Sequence, residues 1–181
     1  GSPMTMSVIN RDAKLESLKD VERPRPGHGD LSGSIKYLGP IRGMLERASA
    51  RETAARVAAG ALAQQLLGEF GITVFGYVRE LEAIRTNPRS GSREELSALR
   101  DASPMYTLDP EADVQITARV DAATRDGDTL GGIIEVRAEG LPFGLGSHAQ
   151  WDCKLDGLLA QAVMSIQAIK GVEVDQTLAD L

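Results

Sequence analysis

Between Ser49 and Phe70 the polar positions Glu52, Arg56, Gly60 and Gln64 recur every four residues. Around them Val57, Ala58, Ala61, Leu62, Leu66 and Leu67 make most of the remaining surface small or apolar. That spacing predicts an α-helix, and so wide an apolar girth predicts burial on more than one side, between layers. Ser49-Ala50-Arg51-Glu52 has the spacing of a capping box, in which the hydroxyl accepts from a first-turn amide and the glutamate reaches back. Gly71 stops the helix. Residues 72–84, rich in β-branched and aromatic side chains with partial alternation, predict a strand, and residues 85–92 a polar loop. Helices over about 93–101 and 110–125 follow, the second closed by the turn Asp126-Gly127-Asp128. GIIEVRAE (132–139) predicts a second strand, 140–146 a glycine-rich turn, and Asp152–Ile169 a long amphipathic helix on Leu155, Leu158, Leu159, Ala162, Val163, Ile166 and Ile169. Residues 5–22 carry no firm element. Residues 23–44, broken by Pro24, Pro26, Gly27, Gly29, Gly33, Gly39, Pro40 and Gly43, predict an irregular loop with room for one short helical turn. The mixture is that of an α+β fold.

Composition narrows the class. Of 181 residues 42% are apolar and 25% charged, as in a soluble globular protein, and aromatics at 4% leave an aliphatic, alanine-rich core. A single cysteine, Cys153, excludes an internal disulfide framework and a thiolate zinc cluster. No apolar run approaches the ~18 residues of a membrane span. The chain reads as cytoplasmic and as one domain over residues 4–181, with Gly1-Ser2-Pro3 as an expression-tag remnant. The net charge of −6 is uneven: residues 1–60 carry 10 basic and 7 acidic groups, and the rest 10 and 19. An acidic chain without a basic stripe is a poor nucleic-acid partner. A local positive segment suits a small anionic ligand.

Four patterns bear on chemistry. Gly144-Leu145-Gly146-Ser147-His148-Ala149 fits the G-x-G-x-x-A of dinucleotide folds, but Pro142 interrupts the strand before it, which favours a plain glycine turn. His148 and Cys153 lack the further ligands a tetrahedral metal site needs. Asp126-Gly127-Asp128 is too short for a calcium loop. The segment Arg23–Arg51 is more telling. It concentrates Arg23, Arg25, His28, Lys36, Arg42, Arg47 and Arg51 against only Asp30 and Glu46, and ends at a helix N-terminus, whose free amides favour anions. His28 stands between Gly27 and Gly29, where the backbone can bring an imidazole close to a ligand. Such a group suits proton transfer near neutral pH, set against the plain alternative of a solvated loop histidine and a simple helix cap at Ser49.

Longer motifs add a resemblance. RPRPGHGDL (23–31) resembles the RPGHADL segment of chorismate synthases, and ERASARETAARVAAG (46–60) is similar to their signature nearly letter for letter. DGDTLGGIIEV (126–136), GLPFGLGS (140–147), KLD (154–156) and MSIQAIKGVEV (164–174) follow in the family's order, so the resemblance spans about residues 21–174. It implies a chorismate synthase-like β-α-β sandwich, here truncated to one domain. It also implies 1,4-elimination of phosphate from 5-enolpyruvylshikimate 3-phosphate to give chorismate, in the shikimate pathway of aromatic amino-acid biosynthesis, with reduced flavin mononucleotide (FMN). By resemblance His28 is the histidine that protonates the reduced flavin, Ser49 and Arg51 hold substrate, and His28, Ser49 and Ala50 contact the flavin. The sequence departs from the family in having Gly29 for the usual alanine. It also lacks the GESHG motif with its second catalytic histidine, the flavin-binding lysine and the RSD aspartate. A homo-oligomer or a complementing chain would then complete the site. The alternatives are a non-catalytic binding module for an anionic ligand or flavin, or a structural fragment.

Overall fold

The computed structural model describes residues 2–11, 17–48 and 50–175, with Ala50 and Arg51 described as helix backbone only. The chain divides into two compact units, residues 67–141 and residues 1–66 with 142–181.

Residues 67–141 carry the apolar core. β1 (Thr73–Leu81) lies between β2 (Ile84–Arg85) and β3 (Gly132–Glu139), and both pairings are antiparallel. Side chains alternate across a strand, so Phe75 and Tyr77 share one face and pack with Leu96, Leu108 and Leu99. Leu96 and Leu99 come from one helix, Arg93–Ala102. A second helix, Pro110–Asp126, buries Ala112, Ile116 and Ala123. The first of these two helices begins with the Ser92/Glu95 capping box, and the second with Asp109 accepting from two first-turn amides. Strand β1 would be an open edge beside Val74–Val78, but side chains and a loop close it. Arg93 Nη2 donates to Val74 O at 2.7 Å, Arg100 Nη1 to Gly76 O at 3.3 Å, and Val78 N to Tyr106 O at 2.8 Å. Guanidinium groups thus take the place of a neighbouring strand. Burial pushes the Tyr77 phenol up to about 12, helped by its hydrogen bond with Glu135.

The other unit holds α1 (Asp30–Tyr37), α2 (Ile41–Arg47), most of α3 (Ala50–Glu69), a 3-10 turn (Trp151–Cys153) and a final helix, Leu155–Met164. Numbering helices along the chain, Arg93–Ala102 is α4, Pro110–Asp126 is α5 and Leu155–Met164 is α6. Helices α1 and α2 approach closely because Gly33 has no side chain: a Cβ there would lie 3.2 Å from Met44 Cγ. Helix α3 is tied to the segment after α6 by Thr53 Oγ1 donating to Gln167 Oε1 (3.2 Å) and Arg56 Nη1 to Ser165 Oγ (2.9 Å). Two of the long sequence motifs therefore meet in space.

The element types predicted for α3, α4, α5 and β3 hold, and the fold is α+β. Four expectations are corrected. The irregular loop 23–44 contains two helices, since Pro40 stands at the N-cap of α2, where proline is tolerated, and Gly33 serves helix contact. The strand 72–84 is two strands, reversing at Glu82-Ala83 with Glu82 at φ 54°. The helix 152–169 shortens to Leu155–Met164, where the Ser165 hydroxyl turns back onto Ala162 O. Helix α3 is not buried on several sides, because Val57 and Leu66 on it are exposed in this chain. Among the described residues no helix is long and apolar enough to cross a membrane.

Candidate functional site

Arg25-Pro26-Gly27-His28 folds as its residue types dictate. Proline pre-sets the second position of a reverse turn and glycine supplies the positive φ (72°) of the third. The turn closes with His28 N donating to Arg25 O at 3.3 Å. A type II turn results, with His28 as its last residue and Asp30 opening α1 two residues later. His28 itself is exposed, and its Nδ1 lies 3.0 Å from Pro26 O.

A clamp fixes the ends of this loop. The Asp30 carboxylate takes Arg25 Nε at 2.9 Å on Oδ2, Arg25 Nη2 at 3.0 Å on Oδ1, and the Arg25 backbone N–H at 3.1 Å on Oδ2. This is the two-pronged geometry that makes guanidinium–carboxylate pairs strong. Asp30 is only 1% exposed and is the one buried side chain among the described residues of its unit. Hydrogen bonds from the Arg25 guanidinium hold its carboxyl at about 2, against burial that pushes the other way, and the same bonds raise Arg25.

The basic segment is thereby divided. Asp30 takes Arg25, and Glu46 lies 3.4 Å from Arg42, while Arg42 Nη2 also donates to Lys19 O at 2.8 Å. Arg47 remains exposed, 3.8 Å from Glu52, and Arg23 and Lys36 are exposed as well. Of the residues predicted to form the site, the structure describes His28 on the turn, and Ala50 and Arg51 as the opening of α3. Ser49, and with it the capping box, lies outside the described residues. The residue that sequence reasoning missed is Asp30, which counted there only as opposing charge. The signal was present in Pro-Gly at the turn's centre, with a basic residue at its start and an acidic one two positions past its end.

The competing motifs resolve as turns. Gly144 and Gly146 have φ of 82° and 92°, no helix starts until Trp151, and every strand pairing described is antiparallel, so the dinucleotide reading fails. Gly127, at φ 67°, caps α5, with Asp128 N donating to Ala123 O at 2.9 Å. His148 and Cys153 are exposed, and no group of three metal-binding side chains occurs among the described residues.

Comparison with known proteins agrees with this picture. The family model for chorismate synthase matches residues 1–180. The chain is 50% identical over 193 residues to the chorismate synthase of Symbiobacterium thermophilum, covering 96% of this chain and 49% of that protein. It is 55% identical over 190 residues to that of Solibacter usitatus, with the same two coverages. A crystal structure of chorismate synthase superposes with a TM-score of 0.74 at 42% identity, covering 84% of this chain and 48% of that one. The chain thus spans about half the length of the curated relatives it matches. With the signature segments in family order, two of them bonded to each other and the fold shared, this chain belongs to the chorismate synthase family.

Proposed function

We propose that this chain contributes one wall of a chorismate synthase site, for the 1,4-elimination of phosphate from 5-enolpyruvylshikimate 3-phosphate. In that reaction a carbon-bound hydrogen leaves as a proton, the phosphate departs, and a new ring double bond gives chorismate. The observation that carries the reading is family membership over residues 1–180 with the His28 turn and the α3 signature both retained. His28 is the proton-transfer residue. Ser49 and Arg51 hold the anionic substrate, and His28, Ala50 and Ser49 contact the cofactor.

The cofactor proposed is reduced FMN, which when bound supplies the electron-transfer chemistry. The donor set suits it. Arg23 and Lys36 are exposed cations, Arg47 is exposed 3.8 Å from Glu52, and Leu31 and Ile35 stand exposed one turn apart on α1. A guanidinium at residue 51 and the first-turn amides of α3 add anion affinity.

Assembly follows from surfaces. Ile134 and Val136 are 62% and 61% exposed and pair with Val78 and Gly76 of β1, so this sheet face is apolar and uncovered. We place the working form as a cytoplasmic homo-oligomer or a complex with a complementing chain bearing the GESHG and RSD segments. The test is anaerobic phosphate release with reduced FMN, by this chain alone and mixed with such a complementing chain. Release that needs both chains and is abolished by His28→Ala supports the reading. Flavin binding without turnover in any mixture leaves a binding module, and the absence of both binding and turnover refutes the proposal.

A further inference from the structure

We infer that Asp30, acting through Arg25, is the positioning residue that sets the tautomer of His28; the proposal rests on the reading of His28 as the proton-transfer group. The placement of Asp30 is unusual in its own right. A carboxylate is the only buried side chain described in its unit, where an apolar core residue would be expected. Burying a charge is costly unless it is paired and hydrogen-bonded. Here three donors meet it, and all three belong to Arg25. The clamp therefore joins residue 25 to residue 30 and closes the loop that carries His28.

Inside that closed loop one bond decides the chemistry. Pro26 O lies 3.0 Å from His28 Nδ1, and a carbonyl oxygen can only accept. Neutral His28 therefore carries its hydrogen on Nδ1, which leaves Nε2 as the nitrogen that takes up and delivers a proton. Pro26 and Gly27 favour the turn, and the bond from His28 N to Arg25 O, itself anchored on Arg25, fixes Pro26 and His28 in this register. Gly29 offers no steric help, since nothing lies within 4 Å of where its Cβ would be. Opening the clamp should release the Nδ1 bond and let the hydrogen of the neutral ring move to Nε2, so that this nitrogen can no longer be loaded with the proton that His28 delivers.

Imidazole nitrogen and carbon NMR shifts of the labelled full chain, recorded above the imidazole titration, test this directly. The chain has two histidines, so His148→Gln assigns the signals. The wild-type His28 is expected in the Nδ1–H form. Asp30→Asn and Arg25→Lys should both shift it mainly to the Nε2–H form, and Asp30→Glu should restore Nδ1–H at least in part. A wild-type Nε2–H form, or an unchanged tautomer in a folded Asp30→Asn chain, overturns the proposal. If Asp30→Asn does not fold, Arg25→Lys decides in the same way. The readout needs neither flavin nor substrate, so a tautomer shift in a chain that binds no flavin, alone or with the complementing chain, would refute the functional reading and leave this one standing. In an active complex, Asp30→Asn is expected to lower kcat about tenfold or more with little change in KM, as for a misplaced reacting group.

Discussion

Phe75 offers the sharpest test of how the sheet unit is held together. Its ring is 2% exposed, with the Arg93 guanidinium 4.3 Å from its centroid, that of Arg100 at 4.7 Å, and the Tyr77 ring at 5.9 Å. Phe75→Leu keeps an apolar side chain of similar bulk but removes the π-face. A guanidinium–ring contact is worth about 0.5–1 kcal/mol when exposed and about 2 when desolvated. Arg100 is 25% exposed, so a value of about 1 kcal/mol for each contact is reasonable here. The tilted ring pair adds about 1 kcal/mol. The expected cost is about 3 kcal/mol, which at a urea m-value of about 2 kcal/mol/M lowers the unfolding midpoint by about 1.5 M with m unchanged. The decisive assay is a double-mutant cycle with Arg93→Met and Arg100→Met, in which lost hydrogen bonds to Val74 O and Gly76 O cancel between the two arms. A coupling of about 2 kcal/mol is predicted from the two contacts. A coupling below about 0.5 kcal/mol would mean that these arginines close the strand edge without binding the ring.

Three further outcomes follow from single positions. Gly29→Ala should stabilise the chain by about 0.4–1 kcal/mol in urea unfolding, because φ is −77° and a Cβ meets open space; a loss of stability would contradict this. Gly140→Ala should destabilise by at least about 2 kcal/mol, since φ is 76° and a Cβ would lie 2.2 Å from Gly71 O; a change near zero would show that the 71/140 approach is wrong. Asp30 has its carboxyl lowered from 3.8 to about 2, so the clamp's contribution is complete above pH 3.8 and lost as pH falls through 2. The Arg25 amide proton, bonded to Asp30 Oδ2, should report this with a midpoint near 2, whereas a midpoint near 3.8 would mean that no clamp exists in solution.

Sequence pattern revealed the elements whose signals are local. The four-residue rhythm of α3, the helices over about 93–101 and 110–125 and the GIIEVRAE strand are such elements, and the structure shows α4 and α5 each opened by a local cap, at Ser92 and Asp109. Where tertiary contact overrides local preference, the reading failed. Gly33 and Gly43 look like breakers but lie inside short helices, and Gly33 is there to admit Met44. The reversal at Glu82-Ala83 uses no Gly or Asn; Glu82 N donates to Gly131 O and its carboxylate pairs with Arg119, partners distant in sequence. The apolar girth of α3 was read as burial, yet this chain leaves Val57 and Leu66 open. At the site, His28 and the α3 start were visible through the family motifs. The use of Asp30 was not, because charge counting along a segment cannot tell a solvated acid from one folded onto its own arginine.

Calorimetric titration of the full chain with reduced FMN and with 5-enolpyruvylshikimate 3-phosphate, set beside His28→Ala and Arg51→Ala, tests whether the His28 turn and the start of α3 bind these ligands. Binding by the wild-type chain is expected, weakened about tenfold or more by each substitution, as when a charge-assisted contact worth about 1.5–3 kcal/mol is lost. Binding that neither substitution changes would contradict the claim that the His28 turn and the start of α3 form the anion and flavin wall.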